Sequence, residues 1–318
     1  MGATLAHAIA TGGRTCALWC SDPAAAEAVR RDRRHPARPR YELSPNVAAT
    51  HSLEEAVSGA SLVVVSVPSP AFRDTARALG PLLDPAQVLL SSTKGIELPG
   101  LATMSELLRE CTGATAVGAI AGPNITPEIM SGQLTPLLVA SPSREAREIA
   151  KQVFCAAPLQ VHLSDDLRSV ELASVLKNVV SIALGIGLGR GMGWNAQGLL
   201  FARGLEEIGT LMGALGADPA VLQGMAGVGD IFLTACSPQS LNRTLGMELG
   251  RGIKMDKVVS GLPEVPEGIG AVRGARLLAR QLGLSLPVCE ATAEILEGEA
   301  PAEALERVLM ELPERSCK

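Results

Sequence analysis

An α/β fold is what this sequence predicts: a doubly wound parallel sheet, followed by an all-α domain. Three observations carry it. Short β-branched runs such as SLVVVSVP, residues 61–68, alternate with helical stretches through the first half of the chain. Strand-like runs then stop near Leu167, which places a domain boundary between residues 166 and 167. The 318 residues, 47% of them hydrophobic, suffice for two sizeable cores.

Taken in order, Gly2 to Ala10 is an Ala-rich helical stretch that ends at Gly12-Gly13, and CALWC, Cys16 to Cys20, reads as a short buried strand. A sheet that binds a dinucleotide opens with a strand and a G-x-G-x-x-G turn, whose backbone donors and helix N-terminus hold the pyrophosphate. Only the last glycine of such a turn, Gly2, is present, so the first strand and two glycines are expected upstream of residue 1 or absent. After Asp22-Pro23, the helical AAAEAVRRDRR and a basic loop lead through NVAAT to a helix, SLEEAVSGA, capped at Ser52. SLVVVSVP is a fully buried strand by its length and β-branched content. A helix over 71–80, the strand QVLLSST, a helix near 104–110 and the strands TAVGAIAGP, PLLVASP and LQVHLSD continue the rhythm. Helices are expected near 169–188, 195–214, 218–224, 240–250, 267–282 and 287–297, and over Ala302 to Leu312. The C-terminal ERSCK reads as disordered.

Composition excludes several functions. A net charge of −5 gives no electrostatic reason to bind nucleic acid, and 2% aromatic residues leave no stacking platform for single strands. The basic run Arg30 to Arg40 reads as a solvated, proline-broken loop. Seven scattered cysteines, without paired spacing, read as reduced thiols of a cytoplasmic protein and offer no metal site. No stretch of eighteen uninterrupted apolar residues occurs and the N-terminus lacks the order of a signal peptide, so neither membrane insertion nor export is expected.

The stretch Glu171 to Arg203 holds a lysine and an asparagine inside a long apolar helix. Apolar residues at 172, 175, 176, 179, 180, 183 and 184 put Lys177 and Asn178 at the edge of a core-facing stripe. A lysine there either snorkels to water or points into a cleft, where desolvation lowers its pKa from ~10.4 toward the range useful for proton transfer. Ser66 and Pro68 sit at the end of an apolar strand and Lys94 directly follows another, and ligands lie outside the carboxyl ends of strands in open parallel sheets. Gly122 allows close backbone approach, and Pro123 stiffens the turn. Asp230 and Glu267 each suit a helix N-cap.

These segments together resemble the NAD(P)-dependent glycerol-3-phosphate dehydrogenases. The likeness rests on motifs in that family's order: Glu171 with Leu176-Lys177-Asn178-Val179, then Gly193, Asn195 and Gln197; KGIE from Lys94; AGPN from Ala121; AGVGDIFLT from Ala226; Asn242-Arg243; and PEGIGA from Pro266. The resemblance implies a Rossmann-type dinucleotide-binding domain over 1–166 and a helical substrate and catalytic domain over 167–318. It implies NAD or NADP as cofactor and reversible reduction of dihydroxyacetone phosphate to sn-glycerol 3-phosphate, a precursor of phospholipids. Lys177 is then the general acid, positioned by Asp230. Lys94, Gly122, Asn124, Asn178, Ser240, Asn242 and Arg243 hold the phosphorylated substrate, and Met1, Gly2, Ser21, Ser66, Pro68, Lys94, Thr126 and Glu267 touch the cofactor. A homodimer is usual for such proteins. Two departures stand out: Asn124-Ile125-Thr126 replaces the family's usual residues after Gly-Pro, and Leu241 replaces an arginine beside Asn242. They leave open a dehydrogenase of another small phosphate or phosphonate. The abbreviated Gly-rich turn leaves open a non-catalytic paralogue.

Overall fold

The computed structural model describes residues 1–98, 100–155 and 159–311. It contains two compact units, Met1–Glu171 and Leu172–Lys318. In the first, α1 (Gly2–Thr11) is followed by a left-handed Gly13 at φ 87°, which turns the chain into β1 (Cys16–Trp19). Asp22 caps α2 (Pro23–Asp32) by accepting the Ala24 N–H at 2.9 Å, with Pro23 placed where no N–H is needed. β2 (Val47–Thr50), which NVAAT does not announce, pairs parallel with β1. Ser52 caps α3 (Leu53–Val57) by accepting the Glu55 N–H at 3.2 Å. Next come β3 (Leu62–Val65), α4 (Ser69–Leu79) and β4 (Val88–Ser91). A short antiparallel pair, β5 (Ile96–Glu97) and β6 (Ala102–Thr103), leads into α5 (Met104–Thr112), where Thr103 and Glu106 form a reciprocal capping box. β7 (Val117–Ala121), α6 (Thr126–Met130), β8 (Thr135–Ala140), α7 (Arg144–Phe154) and β9 (Leu159–Ser164) complete this unit.

Five strands form one sheet in the order β3-β4-β7-β8-β9, while β1 and β2 form a separate pair. The expectation of an all-parallel sheet is corrected at one place, where β8 runs antiparallel to β7. Residues 122–134 between them hold only the five-residue α6, short of the helix that a parallel crossover uses. Alternation along β4 divides the core in two: Val88 and Leu90 pack with Leu5, Ile120 and Phe154, while Leu89 packs with Phe72 and Leu107. β1 and β3 are not fully buried strands, since only Leu18 of the first and Val65 of the second are buried throughout. The outer edge of each borders a common cavity of about 610 Å³, lined also by Gly2 and Leu5. Of the basic run, Arg30 and Arg31 belong to the last turn of α2 and the rest is a largely exposed loop, with surface pairs from Arg30 to Glu27, Arg31 to Asp32, and Arg33 and Arg34 to Glu42.

α8 (Leu167–Gly189) begins in the first unit and continues into the second. Residues 171–187 are all buried, so the helix is enclosed around its whole circumference and not along one stripe. By length and composition it could cross a membrane, but 89% of its most apolar window is buried inside the protein. α9 (Trp194–Ala214) follows, then a 3-10 turn at Pro219–Gln223 and a π turn at Met225–Gly229. The remaining helices are α10 (Asp230–Cys236), α11 (Leu241–Gly250), α12 (Met255–Ser260), α13 (Gly268–Gln281), α14 (Pro287–Glu297) and α15 (Ala304–Glu311). Leu312 and the ERSCK tail lie outside the described residues. Where α8 meets α11, glycines put backbone against backbone. A Cβ on Gly246 would fall 2.3 Å from the Ile182 carbonyl oxygen, and one on Gly189 would fall 2.1 Å from that of Met247.

Candidate active site

The second unit gathers its polar residues where α8, α10 and α11 converge. Lys177 is 5% exposed, and its Nζ donates to Asp230 Oδ1 at 2.7 Å and to Thr234 Oγ1 at 2.6 Å. Asp230 is itself 1% exposed, so a buried carboxylate offsets the cost of burying the ammonium. Asp230 is not an N-cap as its sequence context suggests, because Gly229 holds that position and Asp230 is the first residue of α10. Thr234, one turn further on, donates to the Asp230 carbonyl oxygen at 2.7 Å and completes a triad. Sequence reasoning assigned Thr234 no role, although its spacing of four from Asp230 on a helix places both on one face.

A second chain of contacts runs beside the first. Asn242 Nδ2 donates to Asn178 Oδ1 at 3.0 Å, and the Gly268 N–H donates to Asn242 Oδ1 at 3.1 Å. Asn178 Nδ2 and Arg243 Nε are left buried without an acceptor. Unsatisfied buried donors are rare and costly, and two on neighbouring helices suit an incoming anion or carbonyl. Ser240 caps α11 by accepting the Arg243 N–H at 3.2 Å. Leu241 is the first helical residue after it and is partly exposed. Glu267 precedes Gly268 at the start of α13, is exposed, and makes no capping hydrogen bond through its side chain.

The first unit brings together another group. The N-terminus of α1 has no side-chain cap at Met1, and its first-turn N–H groups have no acceptor within the helix. A Cβ on Gly2 would meet Ser66 Cβ at 3.2 Å, which puts the carboxyl end of β3 against this helix start. Thr4 Oγ1 donates to Thr126 Oγ1 at 3.2 Å, so the start of α6 reaches the same helix. Lys94 Nζ donates to the Gly122 carbonyl oxygen at 3.3 Å, and Asn124 Nδ2 donates to that of Ala121 at 3.3 Å. Gly122 has φ 99°, a conformation that favours glycine. Pro68 occupies the N-cap position of α4, and Ser21 lies exposed at the turn after β1. An uncapped helix start beside a glycine and two hydroxyl residues fits a pyrophosphate.

Glu171, six residues before Lys177 on α8, accepts the Ser105 N–H at 2.9 Å and the Ser105 O–H at 2.5 Å. Burial pushes its carboxyl above the usual range, and the Ser105 hydrogen bonds oppose that shift. Among the described residues no three His, Cys, Asp or Glu side chains cluster as a metal site requires.

The N-terminal part of the NAD-dependent glycerol-3-phosphate dehydrogenase family matches residues 1–150, and its C-terminal part matches residues 166–306. A glycerol-3-phosphate dehydrogenase (NAD(P)+) of Geobacter metallireducens is 35% identical, over 100% of this chain and 95% of its own. A second, from Salinibacter ruber, is 36% identical over 100% of this chain and 92% of its own. The crystal structure of glycerol-3-phosphate dehydrogenase from Coxiella burnetii superposes with a TM-score of 0.92 at 26% identity, covering 97% of this chain and 95% of that one. Matched in both halves and related at this level over its whole length, the chain belongs to the NAD-dependent glycerol-3-phosphate dehydrogenase family.

Proposed function

We propose that the protein transfers a hydride between NAD(P)H and C2 of dihydroxyacetone phosphate, giving sn-glycerol 3-phosphate reversibly, with Lys177 as the general acid. The observation that carries this reading is the buried ammonium of Lys177, held between Asp230 and Thr234. A bound nicotinamide supplies the hydride. As negative charge grows on the carbonyl oxygen, Lys177 stabilises it and delivers a proton to it. The lysine is left neutral beside Asp230 until solvent returns the proton, and in the reverse direction it acts as the base. The unsatisfied donors Asn178 Nδ2 and Arg243 Nε support a role in holding the substrate, together with Lys94, Gly122, Asn124, Ser240 and Asn242. The start of α1 supports cofactor phosphate binding, with Met1, Gly2, Ser21, Ser66, Pro68, Lys94, Thr126 and Glu267 as the contacts.

Leu241 favours a second reading, in which the same chemistry acts on another small phosphate or phosphonate, because leucine offers no donor beside Asn242 and Arg243. We place the protein in the cytoplasm, as a homodimer that neither enters membranes nor binds nucleic acid. The burial of α8 and the net charge of −5 support the last two points. Turnover of dihydroxyacetone phosphate with NADH and with NADPH tests the proposal. Absence of turnover with both, in protein that binds the cofactor, overturns the substrate assignment.

A further inference from the structure

The segment that carries Lys94 is fixed by contacts that alternate along it. Thr93 Oγ1 donates to the Val67 carbonyl oxygen at 2.6 Å. A Cβ on Gly95 would fall 2.7 Å from Ser69 Cβ, so the backbone there lies against the start of α4. Glu97 takes two hydrogen bonds from Arg73 on the same helix, from Nε at 2.6 Å and from Nη2 at 2.7 Å. Thr93, Gly95 and Glu97 thus meet the chain between Val67 and Arg73, while Lys94 reaches instead to the Gly122 carbonyl oxygen at 3.3 Å. Lys94, flanked by Thr93 and Gly95 against the Val67–Arg73 stretch, is directed away from it. Whatever holds the odd-numbered side therefore sets the direction of Lys94.

Of the three contacts, that of Arg73 is charged and bidentate, the strongest kind of hydrogen-bonded pair. Its guanidinium is held in turn by Glu110 on α5, at 2.5 Å from Nη1 and 3.0 Å from Nη2. Glu97 and Glu110 are both drawn below the usual carboxylate range by the Arg73 hydrogen bonds. The planar fork allows Arg73 to serve two carboxylates at once, which a lysine ammonium cannot reproduce.

We infer that Arg73 is a positioning residue for the reaction: through Glu97 it fixes the segment that aims Lys94 at the phosphorylated substrate. The inference rests on the reading of Lys94 as a substrate-holding residue. Steady-state kinetics with varied dihydroxyacetone phosphate test it in R73M, K94M, the double variant, R73K, E97Q and E110Q. K94M and R73M are each expected to raise KM about tenfold or more, and the double variant to be no worse than K94M. R73K recovers part of the loss, and E97Q, which keeps the Arg73–Glu110 pair, raises KM like R73M. E110Q lowers the melting temperature and leaves KM unchanged, which separates positioning from stability. If K94M raises KM while R73M and E97Q do not, or if the R73M and K94M effects multiply, Arg73 does not act through Lys94. If K94M itself has no effect, the reading of Lys94 fails, and the inference with it.

Discussion

Lys177 and Asp230 stand 2.7 Å apart with both side chains almost wholly out of water, at 6% and 2% exposure. Such a pair gives little net stability, because desolvation of the two ions consumes most of their attraction. Its value is in orientation. Asp230 and Thr234 fix where the ammonium points, and the pairing keeps that region of the interior neutral.

Lys177→Ala is therefore expected to lower the rate of hydride transfer by about 100-fold or more, with cofactor affinity nearly unchanged. Single-turnover kinetics and cofactor titration separate the two quantities. The variant also leaves Asp230 buried without its partner, so its melting temperature falls. Retention of more than about a tenth of kcat removes Lys177 from the chemistry.

Leu241→Arg places a charged donor beside Asn242 and Arg243 on the first turn of α11. Affinity for dihydroxyacetone phosphate is expected to rise roughly tenfold, the equivalent of one charged hydrogen bond. Unchanged or weaker binding means that position 241 does not face the phosphate.

Glu171 predicts a pH dependence of stability. Its folded-state pKa is raised by burial, so as pH climbs through the ordinary carboxylate range the unfolded chain ionises first. Its contribution to stability is fully present below the unfolded pKa and is lost as pH rises through the folded one. Glu171→Gln keeps an acceptor for the Ser105 N–H and removes the titration. The melting temperature of the variant minus that of the parent should rise as pH climbs above about 4.5. A flat or falling difference shows that Glu171 does not titrate in this way.

The cavity between β1 and β3 suggests a fourth test. Two outer strand edges facing one space suit an extended, apolar strand. A chain extended ahead of Met1 by a strand ending in Gly-x-Gly is expected to melt higher and to bind NAD(H) or NADP(H) more tightly. Calorimetric titration of both chains checks this. Equal cofactor affinity shows that the phosphate site is complete without those residues.

Much of this architecture was legible from residue types. β4, β7 and β9 fall on β-branched or apolar runs, and α8, α9, α11, α13 and α14 begin and end within two residues of where periodicity puts them. β2 escaped notice because Val47-Ala48-Ala49-Thr50 is short and its two central alanines carry little strand signal. The reversal of β8 escaped because strand direction depends on the connection, not on the residues of the strand. At the site, Lys177 stood out as a charge in an apolar helix. Thr234 did not, since a threonine in a helix is unremarkable until its partner is seen. Ser240 and Asn242 are local and long-range versions of one difficulty. The cap at Ser240 joins residues three apart in sequence, whereas the Asn242–Asn178 contact joins residues 64 apart.

The glycine contact between α8 and α11 bears on how this protein can change over time. Asn178 and Asn242 ride on two helices whose main chains touch, with no side chain between Gly246 and Ile182 to act as a spacer. The distance between the two asparagines is thus set by atoms common to every amino acid. Aliphatic residues elsewhere in the helical core can be exchanged for one another and shift their neighbours by fractions of an ångström. That drift stops at the crossing, so the site can keep its dimensions while the sequence around it diverges.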